Sequence, residues 1–207
     1  MDSKELSSDT LSAYNGFRKG RISLKRLKWV FSVVGKDSEF TSYDKLLSSL
    51  MLFSRAGNLG SDALRPLESV MQTLRPDTAS TLNPNLFDEA KTGITGARDY
   101  LRMAEADISG IDSSVIPDKY QSYLSDFKGI LSESQNIADS VSVVMSGLPQ
   151  ALGVDGEKKY IVWFQNSNEI RSTGGFIGSY AMIQIESGKI KNIIIDDIYN
   201  PDGQIRS

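Results

Sequence analysis

The sequence predicts an α+β protein: an N-terminal helical bundle or set of helical hairpins over residues 1–150, then a β-rich segment over 151–207 that reads as the start of an α/β domain. Three observations predict it. Up to about residue 148, apolar residues recur every three or four positions, the period of a helix with one buried face. After GVDGEKK the pattern changes to short apolar runs rich in β-branched residues. Two of those runs are separated only by Ser187-Gly188, a pair suited to a tight hairpin because glycine supplies the positive φ that such turns require.

In chain order, SLKRLKWVFSVV, YDKLLSSLMLFSRAG and SDALRPLESVMQTL read as three shorter helices, separated by GKDSEFTS and by a GNLG turn. Pro66 lies three positions after Ala63 in the third, where a first-turn proline is tolerated. RPDTASTLNPN reads as a linker. Beyond it, Leu86, Ala90, Ile94, Ala97, Leu101, Ala104 and Ile108 draw one stripe down a helix, with Asn85 placed to cap its start. GIDSSVIP breaks that helix, and Pro117 falls near the first turn of the next. A second stripe follows through Tyr120, Leu124, Phe127, Leu131, Ile137 or Ala138, Val141 and Val144, and the two helices read as an antiparallel hairpin. Tyrosines and tryptophans on helical stripes read as core. The stripes hold for too few heptads, and with too little steady flanking charge, for a coiled coil.

In the β-rich part, YIVWF is too short for a helix and too apolar for a half-exposed strand, so it reads as a central strand buried on both faces. FIGSYAMIQIE and KIKNIIID read as the next two strands. Three strands with a buried middle one need further partners, and the remaining DDIYNPDGQIRS is short, so the sequence is expected to be a fragment of a domain.

Composition narrows the chemistry. The chain has 207 residues with no histidine and no cysteine. It therefore lacks the side chains of the usual zinc sites, of haem and iron-sulfur ligation, and of Ser-His-Asp or Cys-His relays. No cofactor is implied. A net charge of -3 gives no global attraction to nucleic acid. The first thirty residues lack the order of a signal peptide, and no run approaches the length of about 20 apolar residues that spans a bilayer. Zero cysteines leave the redox compartment open.

The densest cluster of chemistry is QNSNEIRSTGGFIGSY, residues 165–180. Arg171, Ser172 and Thr173 precede Gly174 and Gly175, and consecutive amides in a glycine loop beside a guanidinium and two hydroxyls form an anion cradle. Glu169 lies two residues before Arg171, on the same face of an extended chain, and can pair with it. The structural alternative is that Gly174, Gly175 and Gly178 mark a bulge and close strand packing, with Glu169 and Arg171 satisfying each other. It is neither a Walker loop nor a dinucleotide fingerprint, because no Lys-Ser or Lys-Thr and no helix follow the glycines.

FQNSNEIRSTGGFIGSY, with SGKI and IYNPDGQ downstream and LPQALGVDGEKKYIV upstream, closely resembles the signature of the domain of unknown function 4012 (DUF4012) family. Gln165, Asn166, Glu169, Arg171, Thr173, Gly174, Gly175, Phe176 and Gly178 match it position by position. The resemblance implies a bacterial cell-envelope protein, extracytoplasmic and anchored by a membrane helix in its full-length parent, with a helical region leading into the signature domain. It implies no activity. Gln165, Asn166, Glu169, Arg171, Thr173, Gly174 and Gly175 are the candidate ligand-binding set. Whether the protein is an enzyme stays open.

Two further clusters stand out. Asp196, Asp197, Asn200 and Asp202 gather oxygen ligands, but Ile198 stands where an EF-hand spacing needs an oxygen, so the segment reads as a solvated turn rather than a metal site. RKGRISLKRLK, residues 18–28, holds six cations and no acid ahead of Trp29 and Phe31. It reads either as a solvated helix face or as a contact for anionic lipid headgroups or an acidic envelope polymer. Two functions follow: a noncatalytic envelope module that binds or supports, or an enzyme or carrier for a phosphorylated substrate such as a polyprenyl-phosphate-linked polymer. The first is preferred on the long helical half, the absence of histidine and cysteine, and the resemblance.

Overall fold

The computed structural model describes residues 3–73, 82–169 and 174–199. Contacts divide the chain into two units, one of residues 1–67 with 86–146 and one of residues 68–85 with 147–207. The fold class is α+β: among the described residues, five α-helices precede a three-stranded antiparallel sheet.

The helical unit is built on α1 (Ser3–Arg26), α2 (Lys28–Val33), α3 (Asp37–Thr73), α4 (Asn85–Ser109) and α5 (Gln121–Ala151), whose C-terminal residues in α3 and α5 belong to the other unit. Side-chain pairs fix the directions. Ser7 of α1 donates to Asp62 of α3 and Arg21 pairs with Asp44, so residue numbers fall on α3 as they rise on α1. Ser49 donates to the Ala104 carbonyl at 2.7 Å, while a Cβ on Gly93 would press against Ala63, so α3 and α4 are antiparallel too. Arg98 meets Asp139, and Gln135 meets Glu105, which reverses α5 against α4 as the hairpin reading expects. The core joins Leu52 and Ala56, the α4 stripe from Ala97 to Ile108, Ile111 and Ile116 of the connection, and Leu124 and Leu131 of α5.

Several expectations are corrected here. The GNLG segment is no turn but part of α3. Its glycine and asparagine serve a helix contact: a Cβ on Gly57 would lie 3.0 Å from Thr10, and Asn58 donates to the Ser7 hydroxyl at 2.8 Å. α3 therefore runs as one helix where two were expected, with Pro66 in its interior. Pro66 and Pro149 each lie inside a helix within three residues of a point where the chain passes from one unit to the other. SLKRLKWVFSVV is not one helix, because the helix breaks at Leu27, and GKDSEFTS is no spacer beyond Gly35, whose φ of +69° ends α2 just before α3 begins. At the start of α4 it is Asn83, not Asn85, whose side-chain oxygen accepts a backbone N–H, that of Asn85. On α5, Ala138 packs against the core, while Ile137 and Val144 are exposed, as is Tyr120, which lies in the 3-10 turn just before α5. The RPDTASTLNPN linker lies mostly outside the described residues.

The sheet has the order β1 (Lys158–Asn166), β2 (Phe176–Glu186), β3 (Lys189–Asp197). Ser187 and Gly188 turn β2 into β3 with φ of +51° and +73°, both positive as a tight hairpin of right-twisted strands requires. The turn is anchored: Ser187 N–H donates to the Gly153 carbonyl at 2.9 Å and Gly188 N–H to the Leu152 carbonyl at 2.8 Å. A Cβ on Gly188 would strike Leu82, and one on Gly153 the Ile185 carbonyl, both at 2.7 Å, so these two positions admit only glycine. YIVWF is not a central strand. It lies in β1, at an edge of the described sheet, and Tyr160, Ile161, Val162, Trp163 and Phe164 are all exposed. β2 takes the centre because it alone pairs on both sides, and its Ala181 is buried.

Candidate functional site

The signature stretch is organised by the end of β1 and the start of β2. Asn166 pairs with Phe176 and Gln165 with Ile177, but Phe164 pairs with Ser179, so Gly178 has no opposite residue and forms a bulge. The Gly178 carbonyl, turned out of the β1–β2 ladder, accepts the Ile198 N–H at 3.1 Å and so ties the end of β3 to this corner. Asn166 organises the turn that leaves β1. Its side-chain oxygen accepts the Asn168 N–H at 3.1 Å, an Asx-type turn, and its carbonyl accepts the Glu169 N–H at 3.4 Å. On the return, Gly174 has a φ of +100°. Gly175 is buried, and a Cβ there would stand 2.7 Å from the Asn166 carbonyl and 3.0 Å from Gln165 Cγ. Gly175 is thus glycine because two backbones approach closely, and a bulkier residue would push the turn off the strand end.

The structure accordingly brings together Gln165, Asn166, Gly174 and Gly175 of the predicted set. The Glu169 side chain is exposed. Arg171 and Thr173, and with them the anion cradle and the Glu169–Arg171 pair, lie outside the described residues, as do Asn200 and Asp202 of the acidic cluster. Asp196 and Asp197 are occupied with backbone at the end of β3: Asp196 accepts the Asp197 N–H at 2.8 Å and Asp197 the Tyr199 N–H at 3.0 Å. Among the described residues no three Asp, Glu, His or Cys side chains come close enough to hold a metal ion.

At this corner lies an open cavity of about 530 Å³ walled by Trp163, Phe164, Gln165, Asn166, Phe176, Gly178 and Ser179. Trp163 rests against Tyr180 at 5.9 Å between ring centroids, and Phe176 against Tyr199 at 6.3 Å, so two of the wall's rings are themselves braced. Reading the sequence missed Trp163, Phe164 and Ser179. A strand taken as buried on both faces offers no side chain to a ligand, and the signal that would have exposed them is the bulge at Gly178, which re-aims the strand end. The helical unit holds a separate, largely apolar cavity of about 460 Å³ lined by Leu46, Leu50, Ile116, Leu124 and Phe127 with Tyr120 and Tyr123. Among the described residues no helix is long and apolar enough to cross a membrane.

A family model described as "Protein of unknown function (DUF4012)" matches residues 155–203, a span that covers β1, the signature loop and the hairpin. No curated protein and no solved structure matches the chain.

Proposed function

Because the chain belongs to the DUF4012 family through residues 155–203, we propose that it is a noncatalytic module of the cell envelope, extracytoplasmic and membrane-anchored in its full-length parent. In this reading residues 1–150 form the helical support and residues 151–207 carry the ligand surface. The observation that supports binding over chemistry is the wall of the β1–β2 cavity. Its residues offer aromatic faces, two carboxamides, a hydroxyl and bare glycine backbone, and none of them is titratable. Rings and amides hold a neutral polar ligand such as a sugar ring of an envelope polymer. They supply neither a general base nor a nucleophile activated by one. Gln165 and Asn166 are the hydrogen-bonding groups of that surface, Gly174 and Gly175 keep the loop close to it, and Glu169, Arg171 and Thr173 complete the proposed binding set.

The test is a thermal-shift screen of the wild type, Gln165→Ala and Arg171→Ala against neutral and acidic envelope glycans, polyprenyl phosphate and divalent cations. A glycan at about 100 times its Kd stabilises the wild type by about 2.7 kcal/mol and Gln165→Ala by much less. A polyprenyl phosphate that stabilises the wild type and not Arg171→Ala overturns the reading in favour of an enzyme or carrier for a phosphorylated substrate.

A further inference from the structure

The helical unit ends in a cap of unusual make-up. From Arg18 to Lys36 the chain carries seven lysines and arginines and no acid, within a protein whose net charge is -3. A solvated basic face surrounds its cations with polar residues. Here, beside exposed Gly20, Ser23, Ser32 and Gly35, six large apolar residues are exposed among the cations: Ile22 at the end of α1, Leu27 at the break, and Trp29, Val30, Val33 and Val34 in and after α2, with Trp29 68% and Val33 77% exposed. Inward contacts account for other members of the segment. Phe31 packs edge-on against Phe40 at 5.7 Å, Lys28 lies over the same ring, and Arg21 is held by both oxygens of Asp44 at 2.8 and 2.9 Å. These contacts pin α2 to the start of α3, which leaves Trp29 and Val33 outward. Arg18, Lys19, Lys25 and Arg26 are exposed beside them.

We propose that this cap, the end of α1 together with α2, docks on the surface of an anionic lipid bilayer. Two independent features of that surface match it. Anionic headgroups attract a cluster of four or more lysines and arginines within a Debye length, and the headgroup–acyl boundary takes up tryptophan and short aliphatic side chains. The long stems of Lys25 and Arg26 let their charges stay at the headgroups while the apolar residues sink. An acidic polymer in water satisfies the charges but gives Trp29, Val33 and Val34 nothing to enter, so the exposed apolar residues favour lipid. The inference stands apart from the β1–β2 cavity and does not rest on the ligand proposed there.

The experiment is vesicle co-sedimentation of the whole chain carrying Trp163→Phe, so that Trp29 alone reports by its emission. Vesicles of phosphatidylcholine, vesicles with one third phosphatidylglycerol, and polyglutamate in solution are compared. Binding to the anionic vesicles only, with a blue shift of Trp29 emission, is expected. Adding Lys25→Glu with Arg26→Glu, or Trp29→Ser with Val33→Ser, lowers the partition coefficient about tenfold or more, with circular dichroism unchanged. Three outcomes overturn the proposal. One is the absence of vesicle binding. The second is binding that ignores Trp29→Ser with Val33→Ser and is matched by polyglutamate, which assigns the cap to an acidic polymer. The third is equal binding to neutral vesicles that Ile195→Ser abolishes, which moves the contact to the sheet.

Discussion

Helix α4 and strand β1 carry comparable densities of apolar residues and meet opposite fates. On α4, Ala90, Ile94, Ala97, Leu101, Ala104 and Ile108 are all at most 6% exposed. On β1, Tyr160, Ile161, Val162, Trp163 and Phe164 are all at least 37% exposed. The difference lies in what each element faces. An amphipathic helix names its own buried side and needs one neighbour, which α3 and α5 supply. An apolar strand has two faces and two edges, and β2 covers one edge only. Burial is a property of the cover, and a run of apolar residues states a requirement for it.

The largest effect that tests this contrast is a matched pair of truncations. Leu131→Ala, at a side chain 1% exposed in the helical core, is expected to cost about 2–5 kcal/mol through lost transfer energy and the cavity left behind. Ile195→Ala, at a side chain 68% exposed on β3, is expected to cost under about 1 kcal/mol. Urea unfolding measures both, and equal costs would break the comparison by showing the sheet face to be covered in solution.

Glycines sharpen it next. Gly153→Ala meets a φ of +66° and a carbonyl at 2.7 Å, both in backbone that anchors the hairpin, and is expected to cost about 2 kcal/mol or more. Gly60→Ala sits in the interior of α3 with nothing within 4 Å of the new methyl, and is expected to stabilise by about 0.5–1 kcal/mol. Thermal unfolding of the two variants should therefore move in opposite directions. A destabilised Gly60→Ala would sink the assignment of the GNLG segment to continuous helix.

The smallest effect concerns acid. The Arg21 guanidinium, donating to both Asp44 oxygens, holds the Asp44 carboxyl below its ordinary value. A group lowered on folding contributes stability above its unfolded pKa of about 3.9, and that contribution is lost as pH falls through the lower folded value. Asp44→Asn is thus expected to lower stability by about 0.5–1 kcal/mol at pH 6 and to leave it unchanged near pH 2. A gap that persists at low pH would show that the asparagine disturbs packing rather than the ion pair.

Much of the helical half was legible. Six of the seven residues of the α4 stripe are buried as the spacing predicts, with Phe87 buried beside Leu86, which is half-buried. Spacing works there because the helical period is a local property. GNLG misled for the same reason in reverse: its residues have strong turn propensity, and only the approach of α1, through Thr10 and Ser7, makes a glycine and an asparagine useful inside a helix. At the site, Gln165 and Asn166 were singled out by the match to the family signature and Gly174 and Gly175 as amides of an anion cradle, whereas the structure gives Gly175 and Gly178 the roles of the alternative reading, close backbone approach and a bulge. Trp163 and Ser179 were hidden, since which strand residues reach the corner depends on a register shift between two strands.

The sequence alone determined the helices' apolar faces, the change of period after residue 150 and the Ser187-Gly188 turn, all set by interactions within a few residues of one another. The tertiary structure alone decided that β2 rather than β1 is central, that α3 runs through its glycines, and that an aromatic and amide wall forms at the bulge. Each of these depends on which distant segments meet, and burial energy rather than local preference makes that choice.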